Sequence, residues 1–501
     1  MRILLTMCAV LCVFALGQSG AARQAVRVGA SIDSHTCQNR VNNTLAKLEQ
    51  CIRLGPLWNV LSHFQEIADD NPDPGGHGNR DTGTPGYRAS VGYVAGLMRH
   101  AGYTVTIQPY MYRASEVVGT PQFRTSNRAY IFEREWFVAR GSPAGSVTAA
   151  LQPPSGTSEG CSRDDFLGFQ RSNVALLRQS ESCNVDVQVA NAQSAGAAGV
   201  VLYAADGGAH ESRLLNFAAI PVIGFTANAV GAEFVRDYRF GHPSIVHIDV
   251  RTQRKIGLDY NVIADSPFGD PHHTIIIDAH LDSIFGAGML DNASGSTTIL
   301  EVALNLAKTP TRNHLRYVWF GGEELGLLGS HHYAHHLTPS ELESIVFDVD
   351  VDVTATPNFD ILIADPGHAP NVKRFPANVV PESALGNGLF THYFSKAGII
   401  SRPASFGNAG TDSNSLSLVG IPNSGILTQQ DCCKHRSETQ LWGGFLGNYE
   451  GRIPSFNGGC VDNPGRWCDN LKNNDPFILE LISKSVAYVT LRLANHKGFP
   501  M

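Results

Sequence analysis

Three times between residues 270 and 355, an apolar run ends directly in a cluster of polar residues. Thr274-Ile275-Ile276-Ile277 leads into Ala279-His280-Leu281-Asp282, and the run 315–320 leads into Gly321-Gly322-Glu323-Glu324. The run 347–353 alternates valines with Asp348, Asp350 and Asp352. Stretches of helical length separate these runs, at 294–307 and from Glu323 onward, and a closing helix spans 477–494. Short apolar runs alternating with helices predict an α/β fold, a mostly parallel mixed sheet flanked by helices. Chemistry in such sheets gathers beyond the carboxyl ends of the strands, which is where each polar cluster falls.

Each cluster has a plain reading and a chemical one. His280-x-Asp282 can be a loop hydrogen bond; if His280 binds a metal through one ring nitrogen, Asp282 can accept from the other and fix the ring. Asp291 ends the loop Gly286-Ala287-Gly288-Met289-Leu290 at the mouth of a helix. It can cap that helix, or bridge two cations with one oxygen each. Glu323 and Glu324 repel each other unless a positive charge compensates them, and metal chemistry needs one carboxylate as ligand and one as base. The 347–353 strand puts its carboxylates on one face, as an exposed edge strand or as a source of a ligand. Oxygen-rich donors with one imidazole suit Zn²⁺, then Mn²⁺ or Co²⁺.

The 501 residues exceed what one core usually holds, so two or three domains are expected. At 43% hydrophobic and 17% charged residues, the chain is neither disordered nor a coiled coil. A net charge of −7 without any Lys/Arg block argues against nucleic acid and anionic membrane as partners. Residues 1–22 read as a removable export signal, with Arg2 before an apolar run too short to span a bilayer. The mature protein is then secreted or periplasmic. Of ten cysteines, eight follow that signal, and an oxidising compartment favours disulfides. Their clustering suggests Cys37–Cys51, Cys161–Cys183 and Cys460–Cys468, and leaves Cys432 and Cys433 open.

Residues 23–56 read as a polar surface arm stapled by Cys37 and Cys51. Helices at 57–70 and 86–101 and a strand at 103–110 begin the α/β pattern. Within the segment 113–254, a strand at 173–178, an Ala-rich helix at 185–198 and a strand at 199–204 carry no ligand cluster, so this part reads as a binding or lid module. His331-His332 and His335-His336 stand at i,i+4 spacing with no acidic third ligand, and read as a wet helix face. His272-His273 carries no chemistry, and no nucleophile elbow for serine hydrolysis occurs.

The strings AHLDSI (279–284), GAGMLDNASGS (286–296), FGGEELGLLGS (320–330), DVTATPN (352–358) and GTDSNSLSLVGIP (410–422) resemble the secreted co-catalytic zinc aminopeptidases of the MH clan, relatives of the glutaminyl cyclases. The resemblance covers about 57–112 and 255–498, and the segment 113–254 resembles an inserted protease-associated domain. It implies a metallo-aminopeptidase that hydrolyses the amino-terminal bonds of peptides with a water activated by two zinc ions. His280 and Asp352 would hold one zinc, Asp291 would bridge, Glu324 would hold the second, Glu323 would be the general base and Asp282 would orient His280. The family's last ligand is a His just after the first late cysteine; this chain has Asp462 at that offset, with Val461 replacing a neighbouring Tyr and Gly410 a family Arg. Alternatives are a non-catalytic or one-zinc binding protein on the same scaffold, or another hydrolase or cyclase of the clan.

Overall fold

The computed structural model describes residues 33–499 except 74–75, 133, 156–158, 181, 206–208, 210–211, 213, 215–216, 285, 405–410, 431–433, 448 and 450–468. The export signal, Gly410, Cys432, Cys433, Cys460, Val461, Asp462 and Cys468 lie outside the described residues.

The first strands are β1 (Thr104–Val117), β2 (Gln122–Thr125), β3 (Gly145–Gln152), β4 (Val174–Arg178) and β5 (Gly199–Tyr203). Then come β6 (Val222–Thr226), β7 (Ile245–Val250), β8 (Thr252–Asp265), β9 (Asp270–His280) and β10 (Asn313–Phe320). β11 (Ile345–Val351), β12 (Leu362–Ala364), β13 (Arg402–Ala404) and β14 (Asn423–Leu427) complete the set among the described residues. Eight of them form a mixed sheet in the order β1-β8-β10-β9-β11-β14-β12-β13. Its centre, β10-β9-β11-β14, is parallel. β1 and β8 run antiparallel on one side, and β12 lies antiparallel to β14 on the other.

The carboxyl ends of the three central strands align. Phe320, ending β10, pairs with His280, ending β9, and Asp350 of β11 pairs with Asp278. Alternation then fixes the two faces. Ile275, Ile277, Ala279, Val349 and Val351 face a core shared with the helices Leu54–Asp70, Ala293–Leu306 and Pro476–Ala494. On the opposite face, Ile276, Val318 and Phe320 pack with Tyr333 and Ala334 of the helix Leu328–His335 and Leu416 of Ser413–Leu418. Asp278, His280, Asp348 and Asp350 project to this second side. β11 is therefore no exposed edge: Asp348 is 0% and Asp350 1% exposed.

The expected helix from Glu323 onward starts only at Leu328. Residues 323–327 form a turn instead, because Gly322 (φ 67°) and Gly326 (φ 109°) adopt left-handed conformations that break a right-handed helix. Residues 33–56 are also less peripheral than a surface arm. Asn42 is fully buried and donates to the carbonyls of Cys37 (2.8 Å) and Asn305 (2.7 Å), fixing this segment to the helix Ala293–Leu306. Disulfides join Cys37 to Cys51 and Cys161 to Cys183.

The second sheet, β2-β7-β3-β4-β5-β6, occupies the chain between β1 and β8. Those two strands pair from Thr104↔Asp265 to Val117↔Thr252, so the segment leaves and re-enters through one ribbon with its ends adjacent. No helix of the described residues is long and apolar enough to cross a membrane.

The helix Ala293–Leu306 is buried along its whole length and carries a carboxyl group, Glu301, at 3% exposure. Burial pushes its pKa up to about 7, with the Asn305 amide pulling the other way. A raised acid keeps its proton in the native state while the unfolded chain has lost it, so stability falls as pH rises from about 4.5 to 7. Glu301→Gln keeps an acceptor for Asn305 and removes that cost. We expect the variant to melt higher than wild type at pH 8, by on the order of 3 kcal/mol, and to converge with it below pH 4.5. Paired thermal melts across this range check both limits.

Candidate metal centre

His280, buried to 1% exposure, ends β9. Its Nδ1 lies 3.0 Å from the backbone carbonyl of Asp282, an acceptor only, so this nitrogen carries the proton. Nε2 is then a bare donor atom in the neutral ring. It faces Asp291 Oδ1 at 3.0 Å and Asp352 Oδ1 at 3.3 Å. Lone pairs pointing at one another are stable only around a proton or a cation. Ligand atoms of His280, Asp291 and Asp352 lie within 4.8 Å of one another, as do those of His280, Glu323 and Glu324.

Each partner arrives from a different strand end. Asp291 stands at the mouth of the helix Ala293–Leu306, where Asn292 accepts from Gly295 N–H (2.9 Å) and Val353 N–H (3.1 Å) and donates to the Val351 carbonyl (3.0 Å). Ser294 adds a bond from Thr354 N–H at 2.9 Å. This stitching sets Asp291 against Asp352, which follows β11 directly. Glu323 and Glu324 hang from the glycine turn after β10.

Burial raises the carboxyl groups of Glu324 and Asp352. The charges of Asp291 and Glu323 push Glu324 further, well above the usual carboxylate range, and Asp291 also raises Asp352. Burial lowers His280, but the charge of Asp352 and the neighbouring carboxylates of Asp282 and Asp291, all of which favour the protonated ring, raise it well above its ordinary value. A divalent cation is the charge that lets these acids ionise together around a neutral imidazole, and one nitrogen with several carboxylates is a donor set zinc accepts.

Asp282 lies where it can serve two residues. Its carboxylate is 3.6 Å from His280 Nδ1, farther than its own carbonyl, and accepts from Glu323 N–H at 3.2 Å and from the Thr82 hydroxyl at 2.9 Å. It thus holds the backbone of the Glu323 turn as well as standing beside the imidazole.

Two further residues, to which the sequence assigned no role, support the centre. Arg80 is fully buried and donates to the carbonyls of Leu281 (2.8 Å), Ala287 (2.7 Å) and Gly288 (2.9 Å). Asp469 accepts from Leu290 N–H (2.7 Å) and Asp291 N–H (2.9 Å), and burial pushes its pKa up to about 6. Its only sequence signal was its place directly after Cys468. Asp469→Asn leaves one acceptor oxygen for two N–H groups. Outer-shell losses of this kind cost about 10–100-fold in metal affinity. We expect that weakening in competition with a chelator, at an unchanged fold by circular dichroism; undiminished affinity removes Asp469 from the support of Asp291. Gln430 Nε2 also donates to Asp291 Oδ2 at 2.6 Å.

Comparison with known proteins gives the family of the chain. The model of Peptidase family M28 matches residues 261–441, and that of the PA domain matches 145–232. An aminopeptidase of Pseudomonas aeruginosa is 31% identical over 462 residues, spanning 88% of this chain and 81% of that protein. A probable lipoprotein aminopeptidase of Mycobacterium tuberculosis, LpqL, is 30% identical over 457 residues, spanning 88% and 85%. Among solved structures, an aminopeptidase from Aneurinibacillus sp. strain AM-1 shares the fold with a TM-score of 0.71 at 19% identity, covering 91% of this chain and 98% of that one. By descent, the chain belongs to peptidase family M28, as an aminopeptidase with a PA domain.

Proposed function

We propose that this protein removes residues from the amino termini of peptides with two zinc ions held by His280, Asp352, Asp291 and Glu324, and with Glu323 as the general base. The observation that carries the reading is His280 Nε2 facing Asp291 and Asp352 at 3.0 and 3.3 Å, with Glu323 and Glu324 converging on the same imidazole. His280 and Asp352 would hold one ion, Asp291 would bridge and Glu324 would hold the other, with Asp462 completing the second site.

Bound zinc supplies Lewis acidity, which acidifies a water and polarises the scissile carbonyl. Glu323 takes the proton from the attacking water and hands it to the departing amine nitrogen. Asp282 fixes the backbone from which Glu323 works. Arg80 and Asp469 hold the loops that carry the ligands.

The domain plan we favour is a catalytic domain of 57–112 and 255–498, with 113–254 as the inserted protease-associated module. The apolar leader and the disulfides support export of the mature chain to an oxidising compartment. Metal analysis of the purified protein, paired with hydrolysis of free and N-acetylated aminoacyl substrates, tests the reading. Two zinc ions per chain and cleavage of the free-amine substrates alone are expected. One zinc or none without turnover would favour the decayed, binding-only alternative, and cleavage of both substrate types would reject the amino-terminal preference.

A further inference from the structure

The helix Leu328–His335 lies five residues beyond Glu323 and ends in the run His331-His332-Tyr333-Ala334-His335-His336. Tyr333 and Ala334 are buried at 2% and 5% exposure and anchor the helix to the sheet. At about 100° per residue the four histidines then fall within roughly 140° of the opposite side. None of them takes part in the centre described above.

The rings are already paired. His331 and His335 stack with centroids 3.9 Å apart and planes 20° apart, and His332 and His336 stack at 3.9 Å and 28°. His335 Nδ1 lies 2.9 Å from the His331 carbonyl, and His336 Nδ1 lies 2.7 Å from the His332 carbonyl. A carbonyl only accepts, so each of these nitrogens carries the proton and each Nε2 keeps its lone pair. A bond of this kind, from the ring nitrogen that does not hold the metal, usually orients metal-binding imidazoles, and here the helix backbone accepts it. Two metal–nitrogen bonds of about 2.0–2.1 Å at a tetrahedral angle set the nitrogens roughly 3.3 Å apart. A shared ion must lie near both ring planes, so each pair, now stacked with planes 20° and 28° apart, has to swing out of its stack by side-chain rotation to bind one.

We propose that this face is a second, surface metal site, in which each i,i+4 histidine pair chelates one divalent transition ion of the imidazole-preferring class, Cu²⁺, Ni²⁺ or Zn²⁺. Ca²⁺ and Mg²⁺, which take oxygen ligands, are excluded by the donors. Burial and the neighbouring rings lower the pKa of His331 and of His332, which favours the neutral, ligating form near neutral pH. With two ligands from the protein and the remaining positions open to water, such sites exchange their ions, unlike a closed structural zinc. The pattern is indifferent to how the catalytic centre works and stands without it.

Equilibrium dialysis of untagged, zinc-loaded enzyme against Ni²⁺ tests the proposal, with retention on a Ni²⁺-charged resin as a second reading. The chain holds 19 histidines, so the measure is the difference between variants rather than the total. Wild type should bind two Ni²⁺ more than the quadruple variant H331Q/H332Q/H335Q/H336Q. H331Q/H335Q and H332Q/H336Q should each lose one. Unchanged aminopeptidase turnover in the quadruple variant shows that it has folded. Equal Ni²⁺ binding by wild type and the quadruple variant overturns the proposal, and loss of both equivalents in either double variant overturns the assignment of one ion to each pair.

Discussion

Glu323→Gln should fold, keep its zinc and lose turnover on aminoacyl substrates by about 10²–10⁴-fold, the range in which a positioned general base acts. Glutamine matches glutamate in shape and still lets its backbone N–H reach Asp282, so the turn after β10 keeps its form. What disappears is the capacity to take up a proton and release it to the amine. The neighbouring residue separates this role from ligation: Glu324→Gln removes a charge from the metal set, so it should lose bound zinc before it loses anything else. A Glu323→Gln protein that turns over at the wild-type rate with full zinc assigns the proton transfer to another group. One that has lost its zinc as well makes Glu323 a ligand, which its approach to His280 and Glu324 would permit.

The strands that carry this chemistry were legible in the sequence because each is a short apolar run ending in polar residues. For β9 and β10, the central place in the sheet follows from apolar character on both faces. The run 347–353 shows the limit of that reading. Its alternation was plain, yet alternation alone does not distinguish an edge from a buried strand whose polar side holds Asp348 and Asp350 out of water. Glu323 and Glu324 could be placed after a strand, but the helix expected to begin there was displaced by two left-handed glycines, a backbone property that spacing does not express. Arg80 and Asp469 were beyond reach for another reason. Their partners lie 201–208 and 178–179 residues away, and nothing local in a turn-rich loop says that its arginine will be buried. The helix of histidines was visible as spacing, but the sequence could show neither the stacking of its rings nor which nitrogens are committed to the backbone.

Arg80→Met should be the most damaging single change outside the ligands. The guanidinium fork serves three carbonyls at once, on both the segment that follows His280 and the loop that leads to Asp291, while its face lies over the Phe64 ring at 5.0 Å. Methionine fills much of the volume and keeps the contact with Phe64, but it leaves the buried carbonyls of Leu281 and Ala287 without a donor, at about 1–3 kcal/mol each, while Gly288 keeps its bond from Ala293 N–H at 3.0 Å. Part of this is returned, because burying the guanidinium is itself costly: burial brings its pKa down to about 10 against the pull of Asp469, Asp282 and Asp81. The balance still favours loss, since removing one side of a buried polar network strands the other. Against a total stability of about 5–15 kcal/mol, the variant should either fail to accumulate or melt at least about 5 °C lower. Lysine should not rescue it, because a single ammonium cannot reproduce a planar fork aimed at three oxygens. Variant protein that does fold should bind zinc more weakly, as the two loops are no longer held in register. Wild-type melting and full zinc content in Arg80→Met would mean that the loops hold the centre together without the arginine.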